Sequence, residues 1–182
     1  LPLVTPTPLA KKFDVAKLAA DLLSIEHSHS DTLADGVDIA NRPGSTLRAS
    51  YEVGCWFEDK KGVKNVRAMN HGGAATTDFG RVKLTAAIHS SSMPDGSYGG
   101  NPCGFVIETN NGNFYYSGDT ALTSDMKLIA ETTKLDFAAF PIGDFFTMGI
   151  DDALRAADFV DVTKILGLHY DTFPPIEIDH DL

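Results

Sequence analysis

The sequence predicts an α/β layered fold. Helix-like and strand-like segments alternate at both ends of the chain, and the middle is a series of short apolar runs between glycine turns. A third observation is Asn110-Asn111-Gly112-Asn113 between two apolar stretches, a strong hairpin signal. Helices alternating with strands around a hairpin-rich centre argue against an all-β barrel.

Taken in order, residues 6–10 read as loop and residues 13–20 as a short helix. Residues 21–26 (DLLSIE) are a short apolar run, expected as a buried strand, and a polar cluster at 27–32 interrupts it. Residues 33–41 read as a helix stopped by Pro43-Gly44, 46–50 as a short strand and 51–60 as a second helix. Residues 66–69, 75–79 and 82–89 alternate or run apolar, and 105–108 and 114–117 flank the hairpin turn. Residues 124–132 read as helix and 135–140 as strand. Residues 151–160 form a helix whose acidic start suits its dipole, and 164–168 a last strand. There is no internal repeat and no linker-like stretch, so a single domain over residues 1–182 is expected.

The composition is that of an ordinary globular protein, 43% hydrophobic and 22% charged, over a chain of 182 residues and 19.6 kDa. No apolar run approaches the roughly 18 residues that span a bilayer. Leu1-Pro2-Leu3-Val4-Thr5-Pro6 lacks a basic segment followed by an apolar core, so no signal peptide is expected. Fifteen basic against 25 acidic residues give a net charge of -10, which disfavours phosphate backbones as partners. Cys55 and Cys103 form no C-x-x-C pair, and two free thiols in a reducing cytoplasm are expected.

Four of the six histidines, His27, His29, His89 and His169, stand at or just after the end of a strand-like run. Asp119 follows Ser117-Gly118 at the end of another. Groups at strand ends sit on a rigid scaffold and face an open edge that a substrate can reach. The sharpest item is His27-Ser28-His29-Ser30-Asp31: imidazoles at i and i+2 project to one side of an extended segment, with a carboxylate two residues on. Imidazole and carboxylate without thiolate suit Zn²⁺, Mn²⁺ or Fe²⁺ in a water-open site. A G-x-S-x-G elbow, a phosphate-binding G-x-x-x-x-G-K-[ST] loop and a strand-linked G-x-G-x-x-G are all absent. Ser90-Ser91-Ser92 is therefore a weak nucleophile candidate, and Cys55, in an apolar stretch, is expected in the core.

This constellation resembles the metallo-β-lactamase superfamily, whose signature is H-x-H-x-D-H followed by separate His, Asp and His ligands. More narrowly, the chain is similar to the UPF0173-type bacterial metal-dependent hydrolases. The resemblance rests on P-L-A from Pro8, M-N-H-G-G from Met69, I-H-S-S-S from Ile88 and D-G-S-Y-G-G-N-P from Asp95. It continues through Y-S-G-D-T from Tyr116, S-D-M-K-L-I from Ser124, P-I-G-D from Pro141, F-T-M-G from Phe146 and H-Y-D-T-F-P-P-I from His169. These motifs span nearly the whole chain in order.

The resemblance implies an αββα sandwich with metals at one edge of its sheets. It implies that His27, His29 and His89 hold a first metal, that Asp31 and His169 belong to a second, and that Asp119 bridges both. The implied chemistry is hydrolysis by metal-activated water, since a divalent cation lowers the pKa of bound water towards about 7 and polarises the scissile bond. Asp31 is the candidate for orienting that water. His71, Tyr98 and Asn101 are candidates for the pocket rim, although Tyr98-Gly99 and Asn101-Pro102 are also ordinary turn residues.

The chain departs from the family pattern at Thr32, where the motif's final His is expected, and its neutral hydroxyl is a poor zinc ligand. Ser28 and Ser30 are milder changes, and Phe145 stands where Asn is expected after Gly-Asp. Against the same pattern, the chain is expected to lack the first β-strands and the closing elements of the fold. The expectation is therefore a cytoplasmic hydrolase of a small ester, lactone or phosphoester, with one firmly held metal and a second weak or absent. A homologue that binds a metal or ligand without turnover, and a metal-dependent nuclease, are the alternatives. The acidic charge and the lack of a Lys/Arg cluster argue against the nuclease.

Overall fold

The computed structural model describes residues 14–180. The expected loop at 6–10, its P-L-A segment and the start of the helix at 13–20 lie outside these residues. A single 3-10 turn, Val15–Lys17, is what the described part of that helix contains. Contacts divide the described chain into two compact units, residues 14–70 with Ser90–Asn101, and His71–His89 with residues 102–180.

The first unit is built on a parallel sheet of β1 (Leu22–Ile25), β2 (Thr46–Ser50) and β3 (Val66–Met69), in that order. Leu22 pairs with Thr46 and Leu47 with Val66. Parallel neighbours require crossovers, here helical: α1 (Ser30–Leu33) and α2 (Gly36–Ala40) between β1 and β2, and α3 (Tyr51–Lys61) between β2 and β3. Ile25, Leu33, Leu47, Val53, Phe57 and Met93 are among the residues of one buried cluster. Gly54 lets α3 lie close on β3, since a Cβ there would stand 2.8 Å from that of Ala68. Gly62, left-handed at φ 68°, ends α3 by donating its N–H to the Glu58 carbonyl.

The helix expected at 33–41 is two short helices. The His29 carbonyl accepts from the N–H groups of both Thr32 and Leu33, at 3.0 and 3.1 Å, so the first turn starts three residues early, inside the His-x-His-x-Asp motif. Asp31 is thus helical rather than extended. The chain re-forms a helix at Gly36, where the Phe57 ring leaves little space for a side chain.

The second unit is a six-stranded sheet whose order follows the chain. Its strands are β4 (Ala74–Thr77), β5 (Gly80–Ala86), β6 (Cys103–Thr109), β7 (Gly112–Tyr116), β8 (Phe137–Pro141) and β9 (Ile165–Leu168). Pairing is antiparallel from β4 to β7 and parallel from β7 to β9. Consequently β5, β7, β8 and β9 run the same way and their carboxyl ends share one edge. The expected hairpin is present, with Asn110 and Asn111 as its turn. A 3-10 turn, Ser124–Met126, leads into α4 (Lys127–Thr132) between β7 and β8, and α5 (Ile150–Phe159) joins β8 to β9. α5 turns Ala153, Ala156 and Ala157 inward against a core that includes Tyr115, Met126 and Phe140. Phe114 and Phe137, paired in register across β7 and β8, stack at 4.9 Å.

Among the described residues, Cys103 is buried and Cys55, expected in the core, is only partly buried, and neither is in a disulfide. Among the described residues, no helix is long and apolar enough to cross a membrane.

Candidate metal centre

The first unit presents its donors just past the carboxyl end of β1. The strand is buried at its end, Ile25, and the burial continues through Glu26, His27 and Ser28. His27 Nε2 and His29 Nδ1 stand 2.9 Å apart, with the rings edge to face at 83°. Two imidazole nitrogens at that distance need one proton or one cation between them. Glu26 determines which nitrogen of His27 faces His29. Its Oε2 lies 3.1 Å from His27 Nδ1 and also accepts the His27 backbone N–H at 2.8 Å. A proton on Nδ1, donated to Glu26, leaves the Nε2 lone pair available, the arrangement typical of metal-ligating histidines.

Burial pushes the Glu26 carboxyl up, but the hydrogen bond and charge of His27, with backbone N–H groups, outweigh it and hold the carboxyl below its ordinary range. Burial pushes the His29 imidazole down, and neighbouring His27 adds to this, against the opposing pull of Asp31 and Glu26.

The loop between the two histidines is fixed from a remote part of the chain. Ser91 Oγ accepts the Ser28 N–H at 3.2 Å, lies 2.9 Å from Ser28 Oγ, and donates to the Gly99 carbonyl at 2.9 Å. Gly99 leaves no room for a side chain, since a Cβ there would stand 1.7 Å from Ser28 Oγ. Ser90 Oγ reaches to 3.4 Å from His29 Nε2. Thr32 Oγ1 lies 3.3 Å from His27 Nδ1, so its hydroxyl contacts a candidate ligand on the side Glu26 also occupies.

The second unit presents His89, Asp119 and His169 past the ends of β5, β7 and β9, all on the shared carboxyl edge. Open α/β sheets place ligands at such an edge. Asp119 Oδ2 lies 3.3 Å from His169 Nε2 and 4.0 Å from His89 Nε2. The backbone holds these loops together. Thr120 Oγ1 accepts the Ile88 N–H, the Ile88 carbonyl accepts the Ala121 N–H, and the Thr120 carbonyl accepts the Met148 N–H. Gly118 makes the turn into Asp119 at φ 66°, and His169 itself is left-handed at φ 55°, an uncommon conformation for a residue with a side chain.

These donors fit a divalent cation. Two ligands about 2.0–2.1 Å from one tetrahedral ion stand about 3.3 Å apart, which is the Asp119–His169 spacing, while the His27–His29 pair at 2.9 Å is slightly tighter. Nitrogen and carboxylate oxygen without thiolate is the donor set of a catalytic rather than a structural zinc site.

The rim candidates divide between the units. Tyr98 and Asn101 belong to the first, where the Tyr98 hydroxyl donates to Asn101 Oδ1 at 2.9 Å. His71 belongs to the second, and its Nε2 lies 2.8 Å from the Pro102 carbonyl, so that nitrogen carries a proton. Sequence reasoning passed over Glu26 as a strand terminus. A charged residue closing an otherwise apolar run, directly before His27, was the available signal.

Four likenesses bear on the site. A model of the beta-lactamase superfamily domain matches residues 3–170. The chain is 51% identical over 181 residues to a UPF0173 metal-dependent hydrolase of Christiangramia forsetii, covering 99% of this chain and 79% of that protein. It is 49% identical over 180 residues to another UPF0173 metal-dependent hydrolase from Flavobacterium johnsoniae, with the same coverages. Among solved structures it is similar to Igni18, a metallo hydrolase from the archaeon Ignicoccus hospitalis, with a TM-score of 0.76 at 32% identity over 90% of this chain and 69% of that one.

Proposed function

We propose, from the premise that this chain belongs to the metallo-β-lactamase superfamily and within it to the UPF0173 metal-dependent hydrolases, that it hydrolyses a small ester, lactone or phosphoester. The fold is the metallo-β-lactamase fold and the class of activity is metal-dependent hydrolysis. The ligands we assign are His27, His29 and Asp31 of the first unit and His89, Asp119 and His169 of the second. Zinc suits this donor set best, with manganese or iron as alternatives. When bound, the cation lowers the pKa of water towards about 7 and polarises the scissile bond.

The chain's own residues do the rest. Glu26 holds a proton at His27 Nδ1, so the Nε2 lone pair is the one offered to a cation. Asp31, carried on the first turn of α1, is the group we assign to accept a proton from the attacking water and orient it. His71, Tyr98 and Asn101 are assigned to the substrate rim. The net charge of -10 supports a small-molecule substrate over nucleic acid. Two cysteines in no C-x-x-C pair support a reducing, cytoplasmic setting.

The observation that carries this reading is the 3.3 Å approach of Asp119 to His169 on the carboxyl edge of a parallel run of strands. The test is metal content after chelator-free purification, paired with a panel of ester, lactone and phosphodiester substrates. At least about one divalent cation per chain, and hydrolysis that chelation abolishes and metal restores, are expected. A metal-free chain, or turnover indifferent to chelation, would overturn it.

A second reading has one observation in its favour. Thr32, which we read as standing where the family has a further imidazole, places a neutral hydroxyl 3.3 Å from His27 Nδ1. A chain so altered holds one cation well and binds ligand without efficient turnover.

A further inference from the structure

Three phenylalanines of the second unit form an exposed cluster. Phe145 is 71% exposed, Phe146 49% and Phe173 43%. The rings of Phe145 and Phe146 stand 4.7 Å apart edge to face, and those of Phe146 and Phe173 6.1 Å apart. Isolated exposed apolar residues are ordinary, but a contiguous aromatic group is not.

The backbone holds this group in place at a cost. Asp144 and Phe145 are consecutive non-glycine residues in the left-handed region, at φ 56° and 51°. For a bulky residue such as Phe145 this is a true outlier, and such strain persists where surrounding structure enforces it. Here the Asp144 N–H donates to the Met148 carbonyl, and the Asp144 carbonyl accepts from Thr147. Phe145 nonetheless stays largely exposed, its ring in contact with that of Phe146.

Position gives the cluster its meaning. Phe145 and Phe146 follow the carboxyl end of β8, and Phe173 lies four residues beyond His169 at the end of β9. The two loops are in direct contact: a Cβ on Gly143 would stand 2.2 Å from the His169 carbonyl, and the Ile142 N–H donates to Leu168. The loop carrying Phe145 and Phe146 is also tied to the neighbour of Asp119, since Met148 donates to the Thr120 carbonyl. The aromatic cluster thus rises from the loop that carries His169 and from a loop hydrogen-bonded to the neighbour of Asp119, on the same sheet edge.

We propose that Phe145, Phe146 and Phe173 bind the apolar acyl or aryl part of the substrate, so that the chain prefers substrates with a hydrophobic group of several carbons. The proposal rests on the hydrolase reading above and adds its substrate class. Aromatic faces suit alkyl and aryl groups alike, and each methylene laid on them gains affinity.

The test uses the metal-loaded full chain and p-nitrophenyl acetate, butyrate and hexanoate, which share one leaving group. Phe145→Asn is the first variant, because Asn tolerates the left-handed backbone that Phe resists. Phe173→Ala is the second. The readout is the ratio of kcat/KM for hexanoate to that for acetate, with melting temperature and oligomeric state measured alongside.

A ratio of roughly ten in the parent, cut about threefold or more in each variant, with the Phe145→Asn melting temperature held or raised, is expected. An unchanged ratio overturns the proposal. So does a variant that alters oligomeric state or vesicle binding while the ratio persists, since the patch is then a subunit or membrane contact. If no ester is turned over, the hydrolase reading fails for esters. Binding of butyrate and hexanoate, followed by NMR titration, then decides the cluster separately. Weaker hexanoate binding in Phe145→Asn supports it, and equal or undetectable binding in parent and variant overturns it.

Discussion

His27 Nδ1 lies 3.1 Å from Oε2 of Glu26, the residue directly before it, and both side chains are buried at the end of β1. A carboxylate in that position orients the imidazole and raises its basicity towards a cation. Glu26→Gln keeps the shape but weakens the acceptor. Zinc affinity, measured by chelator competition, should fall about 10–100-fold, with helix and strand content unchanged by circular dichroism. Unaltered affinity would remove Glu26 from the site.

Metal removal should destabilise the chain. A cation present at about 100 times its dissociation constant contributes about 2.7 kcal/mol, or about 5–10 °C in melting temperature for a chain of this size. Differential scanning fluorimetry with and without chelator measures this. Asp119→Asn and His169→Ala should each shrink the metal-dependent shift, and a shift untouched by both would exclude the pair as ligands.

Thr32→His tests whether an imidazole at this position adds a metal ligand. An imidazole is expected to raise bound metal per chain and to raise hydrolysis if the chain is a weakened enzyme. Inductively coupled plasma mass spectrometry and the substrate panel report both. More metal with no added turnover would favour the non-catalytic reading.

Gly99→Ala probes the support beneath His27 and His29. The new methyl would meet Ser28 Oγ and Ser91 Oγ, at 1.7 and 2.8 Å from the ideal position, so the loop has to shift. Overpacking of this kind costs about 1–3 kcal/mol. Urea denaturation should show that loss, and metal affinity should fall with it. A variant as stable as the parent would show that the serine contact yields freely.

Much of the second unit was legible because its signals are local. The apolar run ending at Leu168, the acidic start of α5 and the Asn110-Asn111 turn each depend on neighbours a few residues away. The first unit was harder at α1 and α2. Residues 33–41 have the composition of one helix, yet His29 starts the turn early and Phe57 crowds Gly36. Neither contact leaves a periodic trace in the sequence. The donors His27, His29, His89, Asp119 and His169 were legible as residue types at strand ends. Glu26 was not, because a carboxylate's role depends on what faces it.

Residue order alone was sufficient for the α/β class, for the family, and for the polar residues at the ends of β1, β5, β7 and β9. Apolar periodicity and motif spacing are properties of short windows, and short windows are all a linear reading needs. Folding was required to bring Ser91 and Gly99 under Ser28, to set Asp119 against His169 at 3.3 Å, and to gather Phe146 and Phe173 on one edge. Those pairs are distant along the chain. Their proximity follows from strand order and from backbone hydrogen bonds between loops, which no local propensity encodes.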